Sequence, residues 1–374
     1  MRVRGSFSLL VLLMLGACSS DKAKVEPAKL VDFQPSAQLE VRWTQRLQGS
    51  EFTVLTPAVT RNAVFAADAR ELLCLERDTG KVVWRTTPGF TLSGAVGAGE
   101  GVVLVGGDQG EVAAFDESDG RLRWKTRVSS EVLAPPQIAD GVGVVRSGNG
   151  KIAGLDIRDG KRIWLYERPT PPLSLRSHAG VTLRNGMVYA GFPAGRIAAI
   201  GLTKGVIIWE STVSQPKGST ELERISDVAS LPVADDKQVC AVAYQGRITC
   251  FDAIQGGTLW TREFSSERGL AMAGSRVYLT DSTGQVLALD KATGATLWKN
   301  ERLIWRGVGA PFVLDDYLLV GDAEGYLHVL KREDGDFAAR LKTDGSAIKA
   351  PLQPLGLGAL VQTSGGHLYS VILR

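Results

Sequence analysis

The chain has 374 residues, with 43 Lys and Arg against 40 Asp and Glu and a formal net charge of +3 at pH 7. So even a balance provides no domain-wide basic patch to follow a phosphate backbone, which excludes nucleic acid as the partner. Four cysteines and three histidines are sparse, and His178, His328 and His367 have no metal-ligand spacing, so they are expected as surface or strand residues and no metal or cofactor is expected.

At the N-terminus, Arg2 and Arg4 precede an apolar run over residues 7–15 that is too short to span a bilayer and has the form of a secretory signal. Leu15-Gly16-Ala17-Cys18 closes it and resembles the bacterial lipoprotein box, in which the cysteine is acylated and becomes the first residue. Ser19, rather than aspartate, follows, and in that system the resemblance implies sorting to the outer membrane. Residues 1–17 are therefore expected as a signal peptide, with Cys18 as the lipidation site. Removal of that leader takes two of the 43 basic residues and none of the 40 acids, leaving a nearly neutral chain. Residues 18–38 are polar, with Lys22, Lys24, Glu26, Pro27 and Pro35, and read as a flexible tether.

From residue 39 to 374 one unit of grammar recurs. Trp84, Trp124, Trp164, Trp209, Trp260 and Trp298 each follow a glycine by four residues, the glycines being Gly80, Gly120, Gly160, Gly205, Gly256 and Gly294. Eight before each tryptophan stands Glu76, Asp116, Asp156, Gly201, Asp252 or Asp290, and ten before stands Cys74, Ala114, Gly154, Ala199, Cys250 or Ala288. The consensus is small-x-acid-x-x-x-Gly-x-x-x-Trp. A second turn glycine lies fourteen before in five units, with Arg70 in its place in the first. Short strands with apolar alternation between these turns, four in about 40 residues, give the arithmetic of a β-propeller blade. The glycine supplies positive φ, the acid caps the turn, and the small residue makes room for the indole docked on a neighbouring blade.

Six such units are followed by a degenerate seventh that keeps Gly325 and Gly335 but has Ala339 at the tryptophan site. Residues 348–373 then supply three strands of an eighth, and LEVRWTQR around Trp43 is an orphan fourth strand. The expected fold is all-β: an eight-bladed β-propeller of four-stranded antiparallel blades, closed by pairing of the N-terminal strand with the C-terminal blade, so that no long edge stays open. A core spread over blade interfaces lets so long a segment remain one domain.

Departures from the repeat mark candidate functional residues. Trp-to-Trp intervals are 41, 40, 40, 45, 51 and 38, so the two longest fall in succession. The extra residues lie in 166–180 and 211–230, both linking the last strand of one blade to the first of the next, and strand parity puts both on one face. Leu173, Leu175 and Arg176 set aliphatic anchors beside a guanidinium, and Asp227 adds charge complementarity, the residue mix of a protein-binding hot spot. Cys74 and Cys250 occupy the small-residue site, where plain packing in place of alanine is one reading. A disulfide between Cys240 and Cys250 is the other, although a two-residue turn would pair 240 with 251 and put Cys250 on the opposite face.

The tryptophan-docking consensus resembles that of the pyrroloquinoline-quinone dehydrogenase propellers. With the lipoprotein signal and eight blades, the chain from Cys18 onward is similar to the propeller lipoproteins of the outer-membrane β-barrel assembly machinery, the BamB family. PPLSLR (Leu173, Leu175, Arg176) and ERISDV (Arg224, Asp227) resemble the segments by which that family contacts the periplasmic domains of the barrel-forming subunit BamA. Where the family often carries a second aspartate, this chain has Ala229, which implies a weaker or rearranged acidic half. The resemblance implies a non-enzymatic scaffold, lipid-anchored at the periplasmic face of the outer membrane. Unfolded outer-membrane proteins are a further partner through blade edges, where Arg121, Arg123, Lys125 and Lys299 act against strand pairing.

Two other classes compete. A quinoprotein dehydrogenase needs adjacent cysteines under the quinone and clustered carboxylates for Ca²⁺, and no Cys-Cys pair occurs here. A peptide- or peptidoglycan-binding propeller outside the barrel machinery is the remaining alternative.

Overall fold

Successive residues decide how each strand is used. In Val102–Gly106 every side is buried, and Val112, Ala113, Ala114 and Phe115 of Glu111–Asp116 are buried in sequence, because the middle strands of a blade are covered on both faces. The fourth strand, Leu122–Arg127, buries only Trp124. In the computed structural model, which describes residues 25–50 and 53–374, this pattern recurs in eight four-stranded antiparallel sheets. Blades one to seven take their strands consecutively. The eighth combines Gln353–Leu355, Gly358–Gln362 and His367–Leu373 with Leu39–Arg46 from the other end of the chain. Leu39 pairs with Leu373 and Arg46 with His367, so the expected ring closure is observed, with a bulge between Val41 and Trp43. The expected signal peptide and Cys18 lie outside the described residues.

Each tryptophan serves two blades. Within its own blade it stands opposite the small residue ten before: Ala114 pairs with Trp124, and Gly154 with Trp164. Its indole then crosses to the next blade. Trp124 Nε1 donates to the Ile157 carbonyl at 2.8 Å, and the ring lies against Gly160, whose φ is +73° and where a Cβ would come within 2.5 Å of the indole. The turn glycine therefore has two reasons to be glycine, the left-handed backbone and the approach of its neighbour's tryptophan. Trp43, Trp84, Trp164, Trp209, Trp260 and Trp298 donate in the same way to Arg77, Glu117, Leu202, Ala253, Lys291 and Arg332. The acid of the repeat caps the turn as expected, with Asp116, Asp156, Asp252 and Asp290 accepting from backbone amides two residues on.

Ala339 has a structural reason. A docked indole needs the third-to-fourth-strand hairpin of the following blade, and in blade eight those two strands are not consecutive in the chain. With the tryptophan gone, its small cross-strand partner becomes Val329. Residues 28–38, expected as the end of a flexible tether, fill the junction instead. Ser36 and Ala37 donate to the Ala338 carbonyl, and Phe33 stacks on Phe337 at 5.3 Å. Arg306 Nη1 and Arg340 Nη1 donate to the carbonyls of Ala28 and Val31 at 2.9 and 3.1 Å.

Behind this strap sits a polar group that the sequence reading missed. His328 is fully buried, its Nε2 3.0 Å from Asp322 Oδ2, while Arg340 Nε donates to its Nδ1 at 3.2 Å. That pattern requires a neutral ring with the proton on Nε2, and burial holds its pKa below the ordinary histidine value despite Asp322. His178 is partly buried against the Leu133 carbonyl, and His367 pairs with Asp344 at 2.7 Å.

Cysteine placement departs from the two-residue-turn expectation. Ala243 donates to the Arg247 carbonyl around a three-residue turn, with Gln245 at positive φ. The register moves by one, Cys240 faces Cys250 directly, and the two form a disulfide. Cys74 is free and buried, its thiol pushed up to about 11 by that burial, which fits packing alone. Blade edges carry the expected basic residues, with Arg121, Arg123, Lys125 and Lys299 exposed, and also aliphatic ones: Val83, Ile163, Ile208, Leu259 and Leu297, each just before its tryptophan, are exposed.

Candidate partner-binding face

The two longest connections, residues 167–181 and 213–232, emerge on one face from neighbouring blades and are tied together. Asp227 joins them: Oδ2 accepts from the Leu175 amide at 2.7 Å, and Oδ1 from the Ala194 amide at 3.0 Å. Ser177 Oγ donates to the Ala229 carbonyl at 2.9 Å and accepts from the Ala179 amide. At the base, Glu210 receives Tyr166 Oη at 2.6 Å and Arg168 Nη1 at 3.2 Å. Loops held this way have little ordering left to do on binding.

Leu173 is 41% exposed and Arg176 is exposed, with no ion-pair partner for its guanidinium among the described residues. Leu175 is half-buried beside them. Arg224 sits apart at the tip of the second loop, engaged with the Gly218 carbonyl at 3.1 Å and Glu221 at 3.5 Å. Asp227 differs from the expectation of charge offered to a partner. It is 3% exposed and both its oxygens are occupied by backbone amides, so it shapes the face from below. Ala229 contributes its carbonyl to the same clasp.

Under the loops lies a cavity of about 260 Å³, lined by both connections and by the Arg146–Gly150 turn of blade three. Sequence reasoning overlooked Arg146, yet the repeat signals it. Its strand position, opposite Ile152, is held in the other blades by Ala67, Gly106, Gly191, Val242, Thr280, Gly321 and Gln362. Only blade three places a charge there. No group of three or more His, Cys, Asp or Glu side chains suited to a metal occurs among the described residues.

Fold and face together define a tryptophan-docked eight-bladed propeller that presents a pair of loops hydrogen-bonded to each other. The family described as outer membrane protein assembly factor BamB matches residues 68–300. An outer membrane protein assembly factor BamB of Nitrosomonas eutropha is 41% identical over 362 residues, covering 96% of this chain and 88% of that one. The crystal structure of BamB from Moraxella catarrhalis superposes with a TM-score of 0.82 at 28% identity, covering 90% of this chain and all of that one. Quinohemoprotein alcohol dehydrogenase from Comamonas testosteroni shares the fold alone, with a TM-score of 0.73 at 13% identity over 89% of this chain and 76% of that one. The chain belongs to the BamB family of outer membrane protein assembly factors.

Proposed function

We propose that this protein is a non-enzymatic scaffold of the outer-membrane β-barrel assembly complex, and that its paired loops hold the periplasmic domains of BamA. The clasp of Asp227 on the Leu175 amide carries this reading, because it fixes exposed Leu173 and Arg176 at one geometry on a rigid ring. An aliphatic anchor beside a planar multi-donor cation suits a partner surface with an apolar pocket and a carboxylate.

Acylated Cys18 would anchor the ring at the periplasmic face of the outer membrane. With Ala28 held by Ile304 and Arg306, residues 18–28 reach at most about 35 Å when fully extended. Ile304 lies in the same kind of inter-blade connection as the paired loops, so the anchor leaves from the face that bears them. Exposed aliphatic side chains on the outer strands favour a secondary role, transient pairing with unfolded outer-membrane proteins.

Capture of the BamA periplasmic domains tests the face. Leu173→Ala and Arg176→Ala should each weaken binding by about 1–2 kcal/mol or more with melting within a few degrees of the parent. Lys299→Ala, on the outer strand of blade six, should bind normally. Unchanged binding by both loop variants would place the contact elsewhere.

A further inference from the structure

Arg146 is engaged differently from Arg306, which meets Asp322 and Glu324, and from Arg340, which donates to His328 and to the Val31 carbonyl. Arg146 instead lies over the Phe192 ring at 5.2 Å, makes one long hydrogen bond, Nη1 to the Gly180 carbonyl at 3.4 Å, and has no ion-pair partner among the described residues. A guanidinium carries five N–H donors, so most of its capacity is unspent. Burial pushes its pKa down to about 10, which leaves it charged at neutral pH.

Its surroundings do not answer that charge. Asp227 also lines the cavity, each of its oxygens accepting one backbone amide, from Leu175 and Ala194, and it makes no ion pair with Arg146. Ser147 Oγ and Asn149 Oδ1 bond to each other and to Ser129. Size limits the occupant. About 260 Å³ exceeds the roughly 30 Å³ share of one water but falls below the ~300–1,000 Å³ of cofactor and drug-sized pockets, so the space is that of a side chain. Pro172, Ser174, Leu175 and Ser177, from the loop that carries Leu173 and Arg176, form part of its lining.

We propose that this cavity is a socket for an acidic side chain of the docked partner, whose carboxylate enters beneath the paired loops and pairs with the Arg146 guanidinium. The socket rests on the reading of the loop face as the partner site and adds its specificity: Leu173 supplies apolar contact from the exposed loop, and Arg146 selects a carboxylate over its amide. A planar fork of donors fits a carboxylate in two-point contact, which lysine cannot reproduce.

Arg146→Met and Arg146→Lys should be measured against Leu173→Ala for binding of the BamA periplasmic domains, alongside melting temperature. A second readout needs no macromolecular partner: the ¹⁵Nε resonance of Arg146 in the ring, titrated with sodium acetate against sodium chloride at equal ionic strength. The expected results are a loss of at least about thirtyfold in affinity for Arg146→Met, incomplete recovery with lysine, and an acetate-specific shift of the Arg146 resonance. If Arg146→Met binds like the parent while Leu173→Ala does not, the socket is overturned and the loop face stands. If neither variant loses binding, both fall. Should Arg146→Met melt far below the parent, the acetate titration decides alone, and an equal response to acetate and chloride overturns the socket.

Discussion

Ring closure makes the strongest quantitative prediction, because Trp43 and Trp124 do the same job on strands of different origin. They are 7% and 8% exposed, and each donates a 2.8 Å hydrogen bond to a carbonyl of the next blade. A buried indole removes some 150–250 Å² from water, so at ~25 cal/mol/Å² its transfer is worth about 4–6 kcal/mol as an upper bound. Loss of the hydrogen bond leaves a carbonyl unpaired, while partial collapse of the cavity recovers some of the cost. Truncation of either tryptophan to alanine should therefore cost about 3–5 kcal/mol. Trp124→Ala calibrates an ordinary junction, and Trp43→Ala interrogates the one made by the N-terminal strand. Urea denaturation followed by circular dichroism measures both, with the slope m checked for constancy. If Trp43→Ala costs under about 1 kcal/mol while Trp124→Ala costs several, the N-terminal strand is not an equal member of the ring and the closure argument fails.

Other expectations follow from individual contacts. Cys18→Ser should release the protein from the membrane fraction, and continued attachment without lipid mass on the mature N-terminus would refute the anchor. Asp227→Ala should raise hydrogen exchange at the Leu175 and Ala194 amides along with weakening BamA capture; weaker capture with both amides still protected would mean that Asp227 acts by direct contact. His328 has a folded pKa below its unfolded value, so its contribution to stability is present above about pH 6.5 and declines as pH falls below it. Melting temperature should drop as pH falls below about 6.5, and His328→Gln, which retains a donor toward Asp322, should flatten that slope; identical slopes would remove the buried ring as the cause. Reduction of the Cys240–Cys250 bridge, which closes a ten-residue separation, should cost about 2–3 kcal/mol of stability in denaturant titrations, and a change near zero would show that the hairpin is already ordered without it.

Blade count, closure and the placing of the two longest connections on one face were legible in the sequence because each rests on spacing. A glycine four residues before a tryptophan is a local necessity of one hairpin, repeated, and two overlong connections in succession must share a face whatever their conformation. The particular contacts were not legible. Whether Asp227 points to a partner or inward depends on the Leu175 amide, 52 positions away. Arg146 stood out within the repeat, but that it lacks a carboxylate is set by residues from three blades. The Cys240–Cys250 pairing turned on one extra residue in a turn, since a strand reverses the facing of its side chains at every step. Likewise residues 28–38 read as tether by composition, and form a strap where blade seven has no neighbouring hairpin for an indole to dock on. Short-range periodicity is written into each repeat; the pairing of buried charges and the filling of the odd junction are decided where distant segments meet, at distances of a few ångströms that spacing along the chain does not encode.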